Sequence, residues 1–182
     1  ISVSDKMHYI VLEYPLDPED DMIELTTSSF FDVYGWHGGK NYAALLDDEI
    51  STIFETNYGM VTGNATYGTP LDIKTGKEVH SIMFEYITRD NGSTNPNDIT
   101  LWASNDDEVV TNKDSESWFK LGPVLNTPAA GKGKEKYTSK VYISAEPFKY
   151  LRIAVKTGNL PVDGTGAASG CWGMSKLTIW GY

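Results

Sequence analysis

Short runs in which apolar and polar residues alternate with a period of two recur along this chain, and almost no stretch carries the 3.6-residue period of an amphipathic helix. His80, Ile82, Phe84 and Tyr86 fall on one face of such a run, with Val79, Ser81, Met83 and Glu85 on the other. Ile99, Leu101 and Ala103 alternate with Thr100, Trp102 and Ser104 in the next. Further strands are expected at 22–27, 137–144, 148–156 and 174–180, between clusters of Gly, Asn, Asp and Pro that read as turns. Seven or eight short strands predict an all-β, two-sheet sandwich with no helix longer than about two turns.

At 182 residues the chain has the size of one domain, and 40% hydrophobic residues suffice for a core. Residues 1–21, with their acidic turn at 17–21, are expected to be a leader segment or the end of a preceding domain, leaving 22–182 as the sandwich. A formal net charge of −10 argues against nucleic acid and anionic membrane surfaces, both of which require Lys and Arg. Cys171 stands alone, so no intrachain disulfide forms, and His8, His37 and His80 lack zinc-site spacing. No apolar run is long enough for a membrane-spanning helix.

Long polar connections are where ligand contacts are expected, at 32–41, 57–70, 90–98, 105–117, 126–136 and 158–173. The stretch 128–134, built from small residues and two lysines, reads as a flexible segment with nothing to dock. The adjacent acids Asp47-Asp48 and Asp106-Asp107 do not read as a hydrolytic pair, because neighbours on extended backbone point in opposite directions. With no nucleophile triad, phosphate loop or metal-binding helix, and Cys171 read as an inert buried thiol, the chain is expected not to be an enzyme.

Several segments, in order, carry a family resemblance: 44–52 (ALLDDEIST), 54–58 (FETNY), 84–89 (FEYITR), 99–106 (ITLWASND), 118–121 (WFKL), 150–155 (YLRIAV) and 177–181 (LTIWG). They resemble the discoidin, or coagulation factor 5/8 type C, superfamily, and within it the galactose-binding-type family-32 carbohydrate modules of bacterial glycan-degrading proteins. The resemblance implies a jelly roll that binds ligands on loops at one end. It implies a non-catalytic module, extracellular, periplasmic or on a bacterial surface, joined to other domains such as those of a hexosaminidase, with a terminal galactose- or hexosamine-type sugar as ligand. The alternative is a protein-binding or adhesion discoidin domain.

For a sugar, Arg89 supplies a forked donor, Asn91 and Asn95 supply donors and acceptors, and Trp172 and Tyr58 supply flat faces. Trp36 and His37 are further candidate contacts, each equally readable as a local packing plug. Glu55 stands where sugar-binding relatives commonly carry His. An ionised carboxylate only accepts hydrogen bonds, so Glu55 favours a donor-rich or cationic ligand such as an amino sugar, or marks a lost site. Many relatives hold a structural calcium, for which Asp47 and Thr52 match, but Lys176 replaces the acid and is expected to neutralise Asp47 instead. No metal or other cofactor is therefore expected.

Overall fold

The structure, a computed structural model, describes residues 9–12, 15–37, 41–57, 66–125, 127–128, 131–158 and 171–182. Ten strands are present among them: β1 (Tyr9–Leu12), β2 (Phe30–Phe31), β3 (Phe54–Glu55), β4 (Thr69–Ile87), β5 (Pro96–Ser104), β6 (Phe119–Lys120), β7 (Lys136–Thr138), β8 (Val141–Gly158), β9 (Gly173–Met174) and β10 (Lys176–Trp180). Helical structure among the described residues is limited to the 3-10 turns Thr27–Ser29, Tyr42–Leu45 and Asp107–Val110. Strands β10, β4, β8, β5 and β6 lie side by side in that order, with β1 added to β8, and β2 and β7 to β4; β3 and β9 form a separate pair. All these pairings are antiparallel, as the expected sandwich requires.

The frame is a long ladder between β4 and β8. Thr69 to Lys74 pair in register with Val155 to Tyr150, and Val79 to Ile82 pair with Phe148 to Tyr142, across irregularities around residues 75–80. Beyond the ladder's first half lie β5 and β2; beyond its second half lie β10, β7 and β1. The ladder bends at residues 75–78 and serves both layers of the sandwich. Its two far ends meet again: the Trp172 indole donates to the Thr69 carbonyl at 3.2 Å, and Ser175 N–H donates to the Ile87 carbonyl at 2.8 Å.

Period-two alternation builds the core. Leu71, Ile73, Ile82, Phe84, Ile99, Leu101, Leu151, Ile153 and Ile179 are fully buried in one continuous cluster. Met83 of the opposite face is buried too, in a smaller cluster with Leu16, Val141 and Trp180, while His80 is exposed. Packing therefore reaches into the segment expected to be a leader: β1 pairs with β8, and the Trp180 indole donates to the Pro18 carbonyl.

Three strand expectations are corrected. Residues 22–27 form only a single bridge, Met22 with Trp180, before turning into the Thr27–Ser29 turn. The expected gap between 144 and 148 is closed, because Pro147 sits at the ladder's bend, where a missing N–H costs no regular bond. The run 137–144 is instead interrupted at Ser139, whose N–H donates to the Phe84 carbonyl while its hydroxyl accepts from Phe84 N–H.

Outside the core, Asp72, Arg152 and Trp102 stand side by side across β4, β8 and β5. Arg152 donates to both Asp72 oxygens, at 2.7 and 2.9 Å, and both residues are almost wholly buried. Its guanidinium lies 4.2 Å from the Trp118 ring centroid, 4.6 Å from Tyr67 and 5.6 Å from Tyr34. Burial pushes the Asp72 carboxyl above its ordinary range, and the Arg152 hydrogen bonds oppose that shift. Such a pair stabilises only while both partners remain, because either one alone is an uncompensated buried charge.

Candidate functional site

Glu55 and Arg89 come together at the end of the sandwich where the ladder's two ends meet. β3 pairs with β9 so that Glu55 opposes Gly173, and a Cβ on Gly173 would stand 2.4 Å from the Phe54 carbonyl oxygen. Only glycine permits that approach. Arg89, just beyond β4, donates from Nη1 to the Glu55 carboxylate at 2.8 Å and lies 3.9 Å from Asp90. The Arg89 and Glu55 side chains keep 21% and 13% of their exposure, so the pair is reachable but already engaged.

The loop after Arg89 is held by residues 131–135. Gly131 and Lys134 N–H groups donate to the Gly92 and Arg89 carbonyls, and the Thr88 hydroxyl and Asn95 amide donate to the Lys132 carbonyl. A Cβ on Gly133 would stand 2.0 Å from the Asp90 carbonyl, and one on Gly92 2.6 Å from the Lys132 backbone. The reading of 128–134 as a segment with nothing to dock is thus wrong for residues 131–134. The glycines allow two backbones to touch, and that close packing was the signal available in the sequence. Lys134 joins Asp48, Glu49, Ile50, Ser51 and Asp90 around an open cleft of about 390 Å³.

The other expected contacts divide. Asn91 is exposed beside Arg89, its side-chain oxygen accepting from Ser93 N–H. Asn95 is fully buried and is a loop brace, not a ligand contact. Trp172 is also fully buried: its indole packs edge-on against Phe54 at 5.6 Å and bonds to Thr69, and its backbone is bracketed by Thr56. Its expected role as a stacking face is overturned by this burial. Tyr58 lies outside the described residues.

Trp36 and His37 separate as well. Asp32 accepts from both of their backbone N–H groups, and Gly35 at φ +69° completes the turn. His37 is the packing plug: its ring nitrogens meet the Tyr42 hydroxyl at 2.5 Å and the Pro70 carbonyl at 2.8 Å, and the ring is buried against Phe54. Because a carbonyl only accepts, Nε2 carries the proton. Trp36 is half-buried, stacked on Tyr34 at 4.2 Å, and its carbonyl accepts from Asn57 N–H, two residues from Glu55. It is therefore a partly exposed aromatic tied to the segment that carries Glu55.

Lys176 does not neutralise Asp47. It pairs with Asp48 and holds that exposed carboxyl below its ordinary range, while the Asp47 carboxylate accepts from the Thr52 hydroxyl at 2.8 and 2.9 Å and from Glu49 N–H. Among the described residues no three His, Cys, Asp or Glu side chains converge as a metal site, and an ammonium beside Asp48 does not fit a hard cation. Asp106 caps the Asp107–Val110 turn through Glu108 N–H, and Asp107 pairs with Lys149 and Tyr150. Both adjacent acid pairs are thus committed to turns and surface ion pairs. No described helix is long and apolar enough to cross a membrane.

No protein-family profile matches the sequence, and no curated protein matches it significantly. Solved structures do match. CBM32-3 of a family 31 glycoside hydrolase from Clostridium perfringens superposes with a TM-score of 0.56 at 16% identity, over 88% of this chain and 96% of that one. The fold is a discoidin-type β-sandwich. A discoidin (F5/8 type C) domain from Bacteroides fragilis matches with a TM-score of 0.53 at 17% identity, over 89% of this chain and 97% of that one. The family 32 module of Clostridium perfringens NanJ, solved in complex with galactose, matches with a TM-score of 0.55 at 14% identity, over 88% and 98%. At these identities the discoidin likeness carries architecture, and the site rests on this chain's own residues.

Proposed function

We propose that this chain is a non-catalytic carbohydrate-binding module that takes a terminal galactose- or hexosamine-type sugar at the Glu55 and Arg89 end. It would serve as one part of a secreted or surface glycan-processing protein. The observation that carries the reading is the partly exposed Arg89–Glu55 pair beside an open polar cleft, with Trp36 strapped to the same segment. Its setting is a fold shared with a module solved with galactose. A forked guanidinium offers donors to vicinal hydroxyls, Glu55 and Asn91 offer acceptors, and Trp36 or Tyr58 offers the apolar face of a ring.

A shallow site of one ring and a few hydrogen bonds supports a Kd of about 0.1 to 1 mM, or about −4 to −5.5 kcal/mol, with avidity from tethering. NMR titration with galactose, N-acetylgalactosamine and N-acetylglucosamine tests it. Saturable shifts at residues 54–57 and 88–92 are expected, lost in Arg89→Ala and weakened in Trp36→Ala, at about 1 to 3 kcal/mol each. If none of these sugars moves those resonances, the sugar assignment fails.

A further inference from the structure

The opposite end of the sandwich carries a second polar feature. β4 leaves Thr69 at the Trp172 end and reaches its bend after Lys74, about 17 Å away at ~3.3 Å per residue. There Lys74, Lys77 and Lys149 line a cleft of about 230 Å³ with Gly76, Glu78 and Tyr150. In a chain of net charge −10, this is a local reversal of sign.

Its geometry is built. The buried Thr75 hydroxyl bonds to the Lys77 carbonyl at 2.5 Å and the Lys149 carbonyl at 3.1 Å, clamping the two lysine backbones together across the bend. Gly76, at φ +78°, makes the turn that lets Lys77 face back toward Lys74 and β8. The one acid in the cleft is diverted, since Glu78 accepts from the Asn105 amide at 2.9 Å. Lys149 is spoken for by Asp107 at 2.8 Å. Neither the Lys74 side chain, which is half-buried, nor that of Lys77 has a hydrogen bond or ion pair among the described residues. Three ammonium groups against the single carboxylate of Glu78 leave the cleft lining net positive, and an anion relieves their mutual repulsion.

We propose that the Lys74–Lys77–Lys149 cleft binds an oxyanion, a sulfate or carboxylate group either free or carried on an acidic saccharide. This inference does not rest on the sugar reading at Arg89, and its resonances are different ones. The experiment is NMR titration of the whole chain with sodium sulfate against sodium chloride at matched ionic strength, with a sulfated disaccharide and its unsulfated parent as further probes. Saturable shifts of the Thr75, Gly76, Lys77 and Lys149 amides with sulfate but not chloride are expected. They should weaken about tenfold in the double variant Lys74→Gln, Lys77→Gln, because two attracting charges are lost.

Lys113→Gln, which alters a lysine paired with Asp114 elsewhere on the surface, should leave the affinity unchanged. Tighter binding of the sulfated disaccharide than of sulfate identifies a saccharide-borne group; equal binding identifies the free anion. The exposed Lys77→Gln alone gives a partial loss if the double variant misfolds. Shifts no larger than those from chloride, or unchanged in the lysine variants, overturn the assignment.

Discussion

Replacing Trp172 by Ala separates the two readings of this residue. The side chain is fully buried, so the substitution removes about 200 Å² of apolar surface, or about 5 kcal/mol at ~25 cal/mol per Å². Partial collapse of the cavity returns some of this, while the lost bond from the indole to Thr69 adds about 1 kcal/mol, so about 4 to 5 kcal/mol is expected. For a domain of this size that lowers Tm by about 8 to 20 °C. Urea unfolding monitored by circular dichroism measures it, with Trp172→Phe as a milder companion that keeps the edge contact with Phe54 and costs about 1 to 2 kcal/mol. If Trp172→Ala unfolds at the wild-type denaturant midpoint and loses only ligand binding, the indole is an exposed stacking face and the burial argument is refuted.

Arg152→Gln should destabilise by about 3 to 5 kcal/mol at pH 7, because it leaves Asp72 buried and unpaired. Since burial raises the folded-state Asp72 pKa, the folded state there binds more protons than the unfolded state, and stability falls as pH rises through that pKa. Without the cation the raised pKa goes higher still, so the deficit should shrink on acidification; a pH-independent deficit in urea melts from pH 4 to 7 counts against this. Adding EDTA or millimolar calcium should move Tm by less than about 1 °C, since among the described residues no three His, Cys, Asp or Glu side chains converge near Asp47, and Lys176 pairs with the adjacent Asp48. Gly133→Ala should cost about 1 to 3 kcal/mol and displace the Arg89 resonances, whereas Gly76→Ala, with open space around it, should cost only about 1 kcal/mol and leave them in place.

The layers of this fold were legible because period two marks core positions directly: Ile99, Leu101 and Ala103 are all buried as their alternation requires. Short edge elements such as β2, β3 and β6 were not, since two residues carry no period. At the site, Arg89 and Glu55 could be named from their positions, but their mutual ion pair depends on β3 meeting β9, a contact between segments more than a hundred residues apart. Trp172 was misread, and His37 left open between two readings, for a common reason. Aromatic and imidazole groups in Gly-rich loops suit a ligand and a core plug equally well, and only burial tells the two apart. The Lys132 and Lys134 segment was misread because glycine signals both freedom and close contact.

The bent β4–β8 ladder also fixes when the domain can acquire its shape. Its central partners, such as Asp72 and Arg152, lie 80 residues apart, so no stable sheet exists until that large loop has closed. Local hairpins cannot substitute, because β5 and β2 dock onto strands that the ladder itself must first align. Folding is therefore expected in the slow, millisecond-to-second regime of non-local β topologies. On a ribosome the chain would stay open through synthesis of β8, and the Trp172 plug, following still later, would be among the last parts to lock.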